Sequence, residues 1–166
     1  MYIHHMTVGS GSIGGDLSEA PPQAIAPRAI VEVCFCHHTR RAARAISRVF
    51  DEALSPSSFR ASQFNILAVI AARDHTSAAE VAGILAMDRT TLSRNLKPLR
   101  QAGYLTTDGG AGRRPDVLVL TAAGRGALDK ASVLWREAQG RLTERMGASQ
   151  AGMLLQMLEA AARAAG

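Results

Sequence analysis

The chain has 166 residues, a formal net charge of +5 and a pI of about 10.0, and this length suits one compact domain with or without added dimerisation helices. Apolar residues make up 47% of it and aromatic residues only 4%, so aliphatic side chains must build the core. No apolar run approaches the ~20 residues that span a bilayer, residues 1–15 lack the apolar segment of a signal peptide, and two cysteines are too few for a disulfide framework. We therefore expect a cytoplasmic protein without membrane association, whose basic balance favours nucleic acid as the partner.

The N-terminal third predicts a tail followed by two helices. Glycine, serine and proline are frequent in residues 1–28, which we expect to form a flexible N-terminal tail. A long helix is predicted over 29–54, with apolar residues on one face and arginines on the other. These arginines are Arg40, Arg41, Arg44 and Arg48. Residues 55–58, Ser-Pro-Ser-Ser, end this helix, and a second helix is predicted over 62–72.

A helix-turn-helix motif is predicted over 77–102. Ser77 and Glu80 have the spacing of a capping box at the start of a short helix, and Asp88 is placed to N-cap the helix that follows, residues 89–102. One stripe of this second helix is leucine-rich. Its opposite face is rich in hydrogen-bond donors and lacks carboxylates, which suits a phosphate-lined major groove. The candidate DNA-contacting residues of the motif are Ser77, Asp88, Arg89, Thr90, Thr91, Ser93, Arg94 and Lys97.

A β-hairpin is predicted directly after this motif. Gly103 ends the second helix, and residues 104–107 and 117–120 have the composition of two paired strands. The connection between them is glycine-rich and carries Arg113 and Arg114. Arginine in a thin β-loop can enter a minor groove that excludes a helix. The sequence therefore predicts a winged helix-turn-helix domain over 55–121 that binds double-stranded DNA, with both arginines as contacts.

Two further helices are predicted in the C-terminal part of the chain. Thr121 caps a long helix in which Leu128, Trp135 and Leu142 recur every seven residues, a seam suited to another helix. A last helix over 149–165 is almost uncharged and should be buried. We therefore predict a mainly α protein with a small β-hairpin wing, in which residues 29–54 and 122–166 are dimerisation helices. A homodimer presents two recognition helices roughly 34 Å apart to a pseudo-palindromic operator, and an intramolecular bundle is the alternative.

The order and spacing of these motifs resemble the MarR family of dimeric winged helix-turn-helix transcription regulators, from about Cys34 to Met157. The resemblance is carried by residues 79–82, 87–94, 99, 103–105, 113–114 and 120–124. It implies a triangular homodimer, base contacts from the second helix of the motif, a wing arginine in the minor groove, and repression that an effector relieves. Arg114 stands at the position of the family's wing arginine, whereas Gly112 stands where an acidic residue commonly steadies that arginine.

A small-molecule effector is the first hypothesis for the signal. The resemblance implies pockets between the first helix and the DNA-binding lobe. Arg40, Arg41 and Arg44 on that helix are candidates to hold a small anionic effector, and an aromatic effector is the other candidate. A solvated arginine face is the alternative explanation for these three residues.

A cysteine switch is the second hypothesis. Cys34-Phe35 resembles the reactive cysteine position of the family's peroxide-sensing branch, but His38 and Arg48 replace the two tyrosines of that branch. If the segment is helical, Cys34 and Cys36 project roughly 200° apart and do not pair readily. For the same reason the four side chains of Cys34, Cys36, His37 and His38 cannot converge on one metal ion. We predict no metal and no cofactor, and effector release as the main mechanism.

Other classes of protein are disfavoured by missing motifs. The sequence has no Gly-rich phosphate loop after a strand, no zinc-ligand spacing and no nucleophile elbow. We therefore predict that the chain is not an enzyme. A dimerisation module that does not bind DNA is the remaining alternative.

Overall fold

The computed structural model describes residues 25–73, 76–108 and 117–165, and within them the chain is mainly helical with one small antiparallel sheet. The elements are α1 (Pro27–Val33), α2 (Phe35–Leu54), a 3-10 turn (Ser55–Ser57), α3 (Ala61–Ala72), β1 (Thr76–Ser77), α4 (Ala78–Ile84), α5 (Arg89–Gln101), β2 (Leu105–Asp108), β3 (Val117–Leu120), α6 (Ala122–Met146) and α7 (Ala148–Ala165). This confirms the predicted fold class. No helix among the described residues is both long and apolar enough to cross a bilayer.

The chain divides into two units, Met1–Arg44 and Ala45–Gly166, and the first of them corrects the prediction of one long helix over 29–54. Helix α1 begins at Pro27 and ends at Val33, and the next residue, Cys34, has an extended backbone with φ −72° and ψ 111°. The Cys34 carbonyl accepts the His38 N–H at 3.1 Å, and its Sγ accepts the His37 N–H at 3.5 Å. Cys34 therefore caps the start of α2. Helix α1 includes Pro27 and Arg28, which were predicted to belong to the tail over 1–28, and residues 1–24 of that tail lie outside the described residues.

The core of the second unit joins α3, α4, α5, the sheet and the first half of α6. Its largest fully buried apolar side chains are Leu54, Ile66, Leu67, Val81, Leu99 and Leu118. The strand order is β1-β3-β2, antiparallel throughout. Strand β1 was not predicted, because a two-residue strand has no alternating pattern to detect. Thr76 is 1% exposed and pairs with Leu118, so tertiary contacts create this strand.

The start of α6 is fixed against the turn that follows α5. Gly103 ends α5 with a positive φ of 73°, and its carbonyl accepts the Thr121 hydroxyl at 2.7 Å. The Thr121 N–H donates to the Tyr104 carbonyl at 3.1 Å, and the Gly124 N–H donates to the Thr121 hydroxyl at 3.0 Å. A Cβ atom on Gly124 would overlap that same Tyr104 carbonyl. The absence of a side chain at Gly124 therefore lets α6 begin directly beside the end of α5.

The seam predicted on α6 is largely used within this chain. Leu128 and Ala131 belong to the core that α3 and the sheet share, and the Trp135 ring stacks on Phe64 of α3 with centroids 6.1 Å apart. The N-terminal half of this seam therefore packs on α3 and the sheet of its own chain, and only the remainder of the seam is left for a second copy. A heptad spacing reports an apolar stripe but not the helix that covers it.

Candidate nucleic-acid interface

Helix α5 presents the outer face that the sequence predicted. Leu92, Leu96 and Leu99 are buried on its inner side. The predicted contact residues on the outer side are all exposed; they are Arg89, Thr90, Ser93, Arg94 and Lys97. The helix contains no carboxylate at all. Its outer face is therefore cationic and rich in donors, as major-groove recognition requires.

The first turn of α5 is organised by Asp88. The Thr91 N–H donates to Asp88 Oδ1 at 2.8 Å and the Thr91 hydroxyl donates to Oδ2 at 2.6 Å. These bonds, the hydroxyl bond first, lower the pKa of the Asp88 carboxyl. The Arg94 guanidinium in turn donates to the Thr91 hydroxyl at 3.3 Å. Asp88 and Thr91 therefore cap the helix and hold the Arg94 side chain.

The capping box at the start of α4 is confirmed. The Glu80 N–H donates to the Ser77 hydroxyl at 3.2 Å, and the Ser77 N–H donates to the Glu80 carboxylate at 2.7 Å. The main-chain bond and then the hydroxyl bond of Ser77 lower the pKa of the Glu80 carboxyl. The Ser77 hydroxyl, a predicted DNA contact, is thus hydrogen-bonded within its own helix turn.

Two polar residues that the sequence analysis missed connect α5 to α3. Asn95 Nδ2 donates to the Thr91 carbonyl at 2.8 Å, and the Ser62 hydroxyl donates to Asn95 Oδ1 at 2.9 Å. Both side chains are half-buried. The sequence did offer a signal for Asn95, because it is an amide residue beside the buried leucine stripe of α5. Its partner, 33 residues earlier in the chain, had no local signal.

A cleft of about 400 Å³ separates α4 from α5 and is lined by residues of both helices; they include Ser77, Ala78, Ala79, Arg89, Ser93 and Arg100. Arg100 was also missed, although it continues the helical stripe of Arg89 and Ser93. Among the described residues, no carboxylate lies within 4 Å of either guanidinium. Uncompensated arginines beside a helix that presents donors favour a polyanionic partner.

The remaining predicted site residues are less well placed or lie outside the described residues. Arg113 and Arg114 fall in 109–116, between the described parts of the wing strands. In the N-terminal unit, Cys34 is half-buried, whereas Cys36, His38, Arg40, Arg41 and Arg44 are exposed. Cys34 and Cys36 do not share a helix, contrary to the sequence-based assumption. His38 Nε2 lies 3.0 Å from the Glu32 carbonyl oxygen, and nowhere in 25–73, 76–108 or 117–165 do three metal-ligating side chains cluster.

A two-helix motif with a carboxylate-free outer face, followed by an antiparallel hairpin, defines a winged helix-turn-helix DNA-binding protein. Residues 57–114 match the family model described as the MarR family. The chain belongs to the MarR family of transcriptional regulators, whose members are transcription factors and not enzymes.

Solved structures support this assignment. The transcriptional regulator MosR of M. tuberculosis is 36% identical with a TM-score of 0.69, over 81% of this chain and 98% of that one. The repressor CouR, bound to p-coumaroyl-CoA, is 27% identical with a TM-score of 0.71, over 81% and 95%. A mutant MarR from E. coli in complex with operator DNA shares the fold at 21% identity, with a TM-score of 0.70 over 80% and 96%. A comparison with curated protein sequences gives no match.

Proposed function

We propose that the chain acts as a homodimeric repressor that binds a pseudo-palindromic operator and is released by a small-molecule effector. The carboxylate-free outer face of α5, with Arg94 held by Thr91, is the observation that carries the DNA contact. Structures of MosR and of CouR with DNA support it by similarity. In the same proposal, Arg113 and Arg114 contact the minor groove, and Arg89 and Arg100 contact the DNA phosphates beside the cleft.

Replacing Arg94 with alanine should weaken binding to a selected operator by roughly 5- to 150-fold, since a bidentate base contact is worth about 1–3 kcal/mol. The preference at one base position per half-site should relax, while binding to random duplex changes less. Fluorescence anisotropy on an operator selected from a random pool measures both. Arg136→Ala, which removes an exposed charge on α6, is the matched control. Equal losses on specific and random DNA would reduce Arg94 to a phosphate contact.

The effector site is proposed at a cavity of about 300 Å³ between α2, α3, α6 and α7. Phe50, Phe64 and Trp135 contribute aromatic surface, and Gln139 and Thr143 are among its neutral polar groups. Among the described residues, no charged side chain lines it. This cavity therefore favours an uncharged aromatic molecule over the anionic effector expected at Arg40, Arg41 and Arg44. The CouR complex with p-coumaroyl-CoA is a precedent for a small ligand in a protein of similar fold. Because Trp135 lines the cavity, its fluorescence should report occupancy.

Cysteine-based sensing is the second candidate, favoured by the cap that Cys34 forms on α2. A hydroperoxide would oxidise the Cys34 thiol to a sulfenic acid and be reduced to an alcohol. The added oxygen would disturb the contact between Sγ and the His37 N–H. Organic hydroperoxide should then dissociate the operator complex of the parent and of Cys36→Ser, but not that of Cys34→Ser. Identical behaviour of all three proteins in an anisotropy titration would exclude the switch and leave the effector mechanism.

A further inference from the structure

The Ser62–Asn95 hydrogen bond joins a wall of the cavity to the recognition helix. Three α3 residues, Ala61, Phe64 and Asn65, line the cavity. Ser62 lies in the same helical turn but extends to α5, where its hydroxyl donates to Asn95 Oδ1 at 2.9 Å. A shift of this turn of α3 therefore moves the Ser62 hydroxyl, which is the donor to Asn95 Oδ1.

On the other side, Asn95 supports the turn of α5 that carries Arg94. Its Nδ2 donates to the Thr91 carbonyl at 2.8 Å, and the Thr91 hydroxyl accepts from the Arg94 guanidinium at 3.3 Å. One continuous series of hydrogen bonds thus runs from α3 through Asn95 and Thr91 to Arg94. Both ends of the Asn95 amide are engaged, so its orientation is fixed by its two partners.

The remaining contacts of α5 with the core are apolar and do not depend on direction as a hydrogen bond does. Leu92, Leu96 and Leu99 contact the core through apolar surface, and such contacts are non-directional. A hydrogen bond instead weakens steeply when its angle or distance departs from a narrow range. Among the described residues, the Ser62–Asn95 bond is the side-chain hydrogen bond that joins α3 to α5. It is therefore the contact between these helices most sensitive to a small displacement.

We propose that Asn95 is a positioning residue that couples occupancy of the cavity to the placement of Arg94. This inference rests on the proposed function, because it takes the cavity as the effector site. A ligand that displaces Phe64 and the rest of its turn would lengthen or break the Ser62–Asn95 bond and free the Thr91–Arg94 turn. By linkage, operator DNA must weaken the ligand by the same factor.

The test measures this coupling factor with a neutral apolar fluorophore, N-phenyl-1-naphthylamine, on the full chain and a selected operator. In the parent, a saturating probe should weaken operator binding by at least about fivefold, and the operator should weaken the probe equally. Ser62→Ala and Asn95→Ala should bring this factor close to one, while the probe Kd of the free protein changes by less than about twofold. Ser62→Thr keeps the hydroxyl and should restore the coupling. Ser132→Ala, which removes another half-buried hydroxyl, should leave it unchanged.

A second measurement needs no ligand. It compares affinity for the operator with affinity for a duplex changed at the base position that depends on Arg94. The ratio of these affinities should fall in Ser62→Ala and in Asn95→Ala. The double variant should show no greater fall than Asn95→Ala alone. Full coupling and full discrimination in both single variants would overturn the role of Asn95 and leave the effector site intact. A parent protein that binds no probe, or binds it without weakening the operator, would overturn the cavity as effector site and this inference with it.

Discussion

Introducing lysine at both Met153 and Met157 should convert the proposed dimer to a monomer and weaken operator binding by roughly a hundredfold or more, because the two half-sites are then bound independently. Helix α7 has no buried residue within one chain, and these two side chains are 53% and 63% exposed. They lie one turn apart on its apolar side and do not line the cavity. So much apolar surface on one helix favours a second copy of the chain as its partner.

Sedimentation velocity at micromolar concentration measures the oligomeric state, and anisotropy measures operator affinity. The matched control combines Gln156→Lys with Glu159→Gln, which raises the net charge by the same two units around exposed Glu159 on the polar side of α7. This control should remain dimeric. A Met153→Lys, Met157→Lys protein that stays dimeric and binds with parental affinity would place the dimer interface elsewhere.

Replacing Gly124 with alanine should lower the free energy of unfolding by roughly 1–3 kcal/mol, the usual cost of forcing atoms into a packed interior. The added Cβ would overlap the Tyr104 carbonyl, which already accepts the Thr121 N–H at 3.1 Å. Either α6 moves away from the end of α5, or the Thr121 cap is lost. Both outcomes remove contacts that hold the wing strands and α5 in place.

Thermal unfolding followed by circular dichroism checks this prediction, with Gly126→Ala on the same helix as control. No atom of the residues that the structure describes lies within 4 Å of the Cβ position of Gly126, so alanine there should raise the stability by roughly 0.5–1 kcal/mol. The two substitutions add the same methyl group two residues apart, yet they should shift the melting temperature in opposite directions. A Gly124→Ala protein as stable as the Gly126→Ala protein would contradict the close approach.

Local signals predicted much of the DNA-binding half. Ser77, Asp88 and Thr121 each cap the helix that the sequence assigned to them, because a capping hydroxyl or carboxylate acts within three residues of its partner. The limits of α5 follow from its leucine stripe and from Gly103 for the same reason. The exposed donors on α5 were predicted from periodicity alone, and their contacts with bases remain predictions.

The features that escaped prediction depend on contacts between distant residues or on competition between local structures. Strand β1 forms only because Thr76 pairs with Leu118, and Ser62 meets Asn95 across 33 residues. Cys34 interrupts a helical pattern that periodicity alone would continue. The apolar stripe of α6 was predicted correctly, but the pattern of one helix does not indicate whether Leu128 packs against its own chain or against a partner.

Helix α6 is fixed at its N-terminal end, where Thr121 and Gly124 contact the turn after α5, so a small tilt there displaces its far end by a larger distance. A straight helix of 25 residues is roughly 37 Å long. A tilt of only about 5° around that junction therefore moves the far end of α6, where α7 begins, by about 3 Å. This displacement is close to the axial rise of one base pair, about 3.4 Å. In a dimer held together through α7, bending of a few degrees would let the same protein fit operators whose half-sites differ in spacing by one base pair.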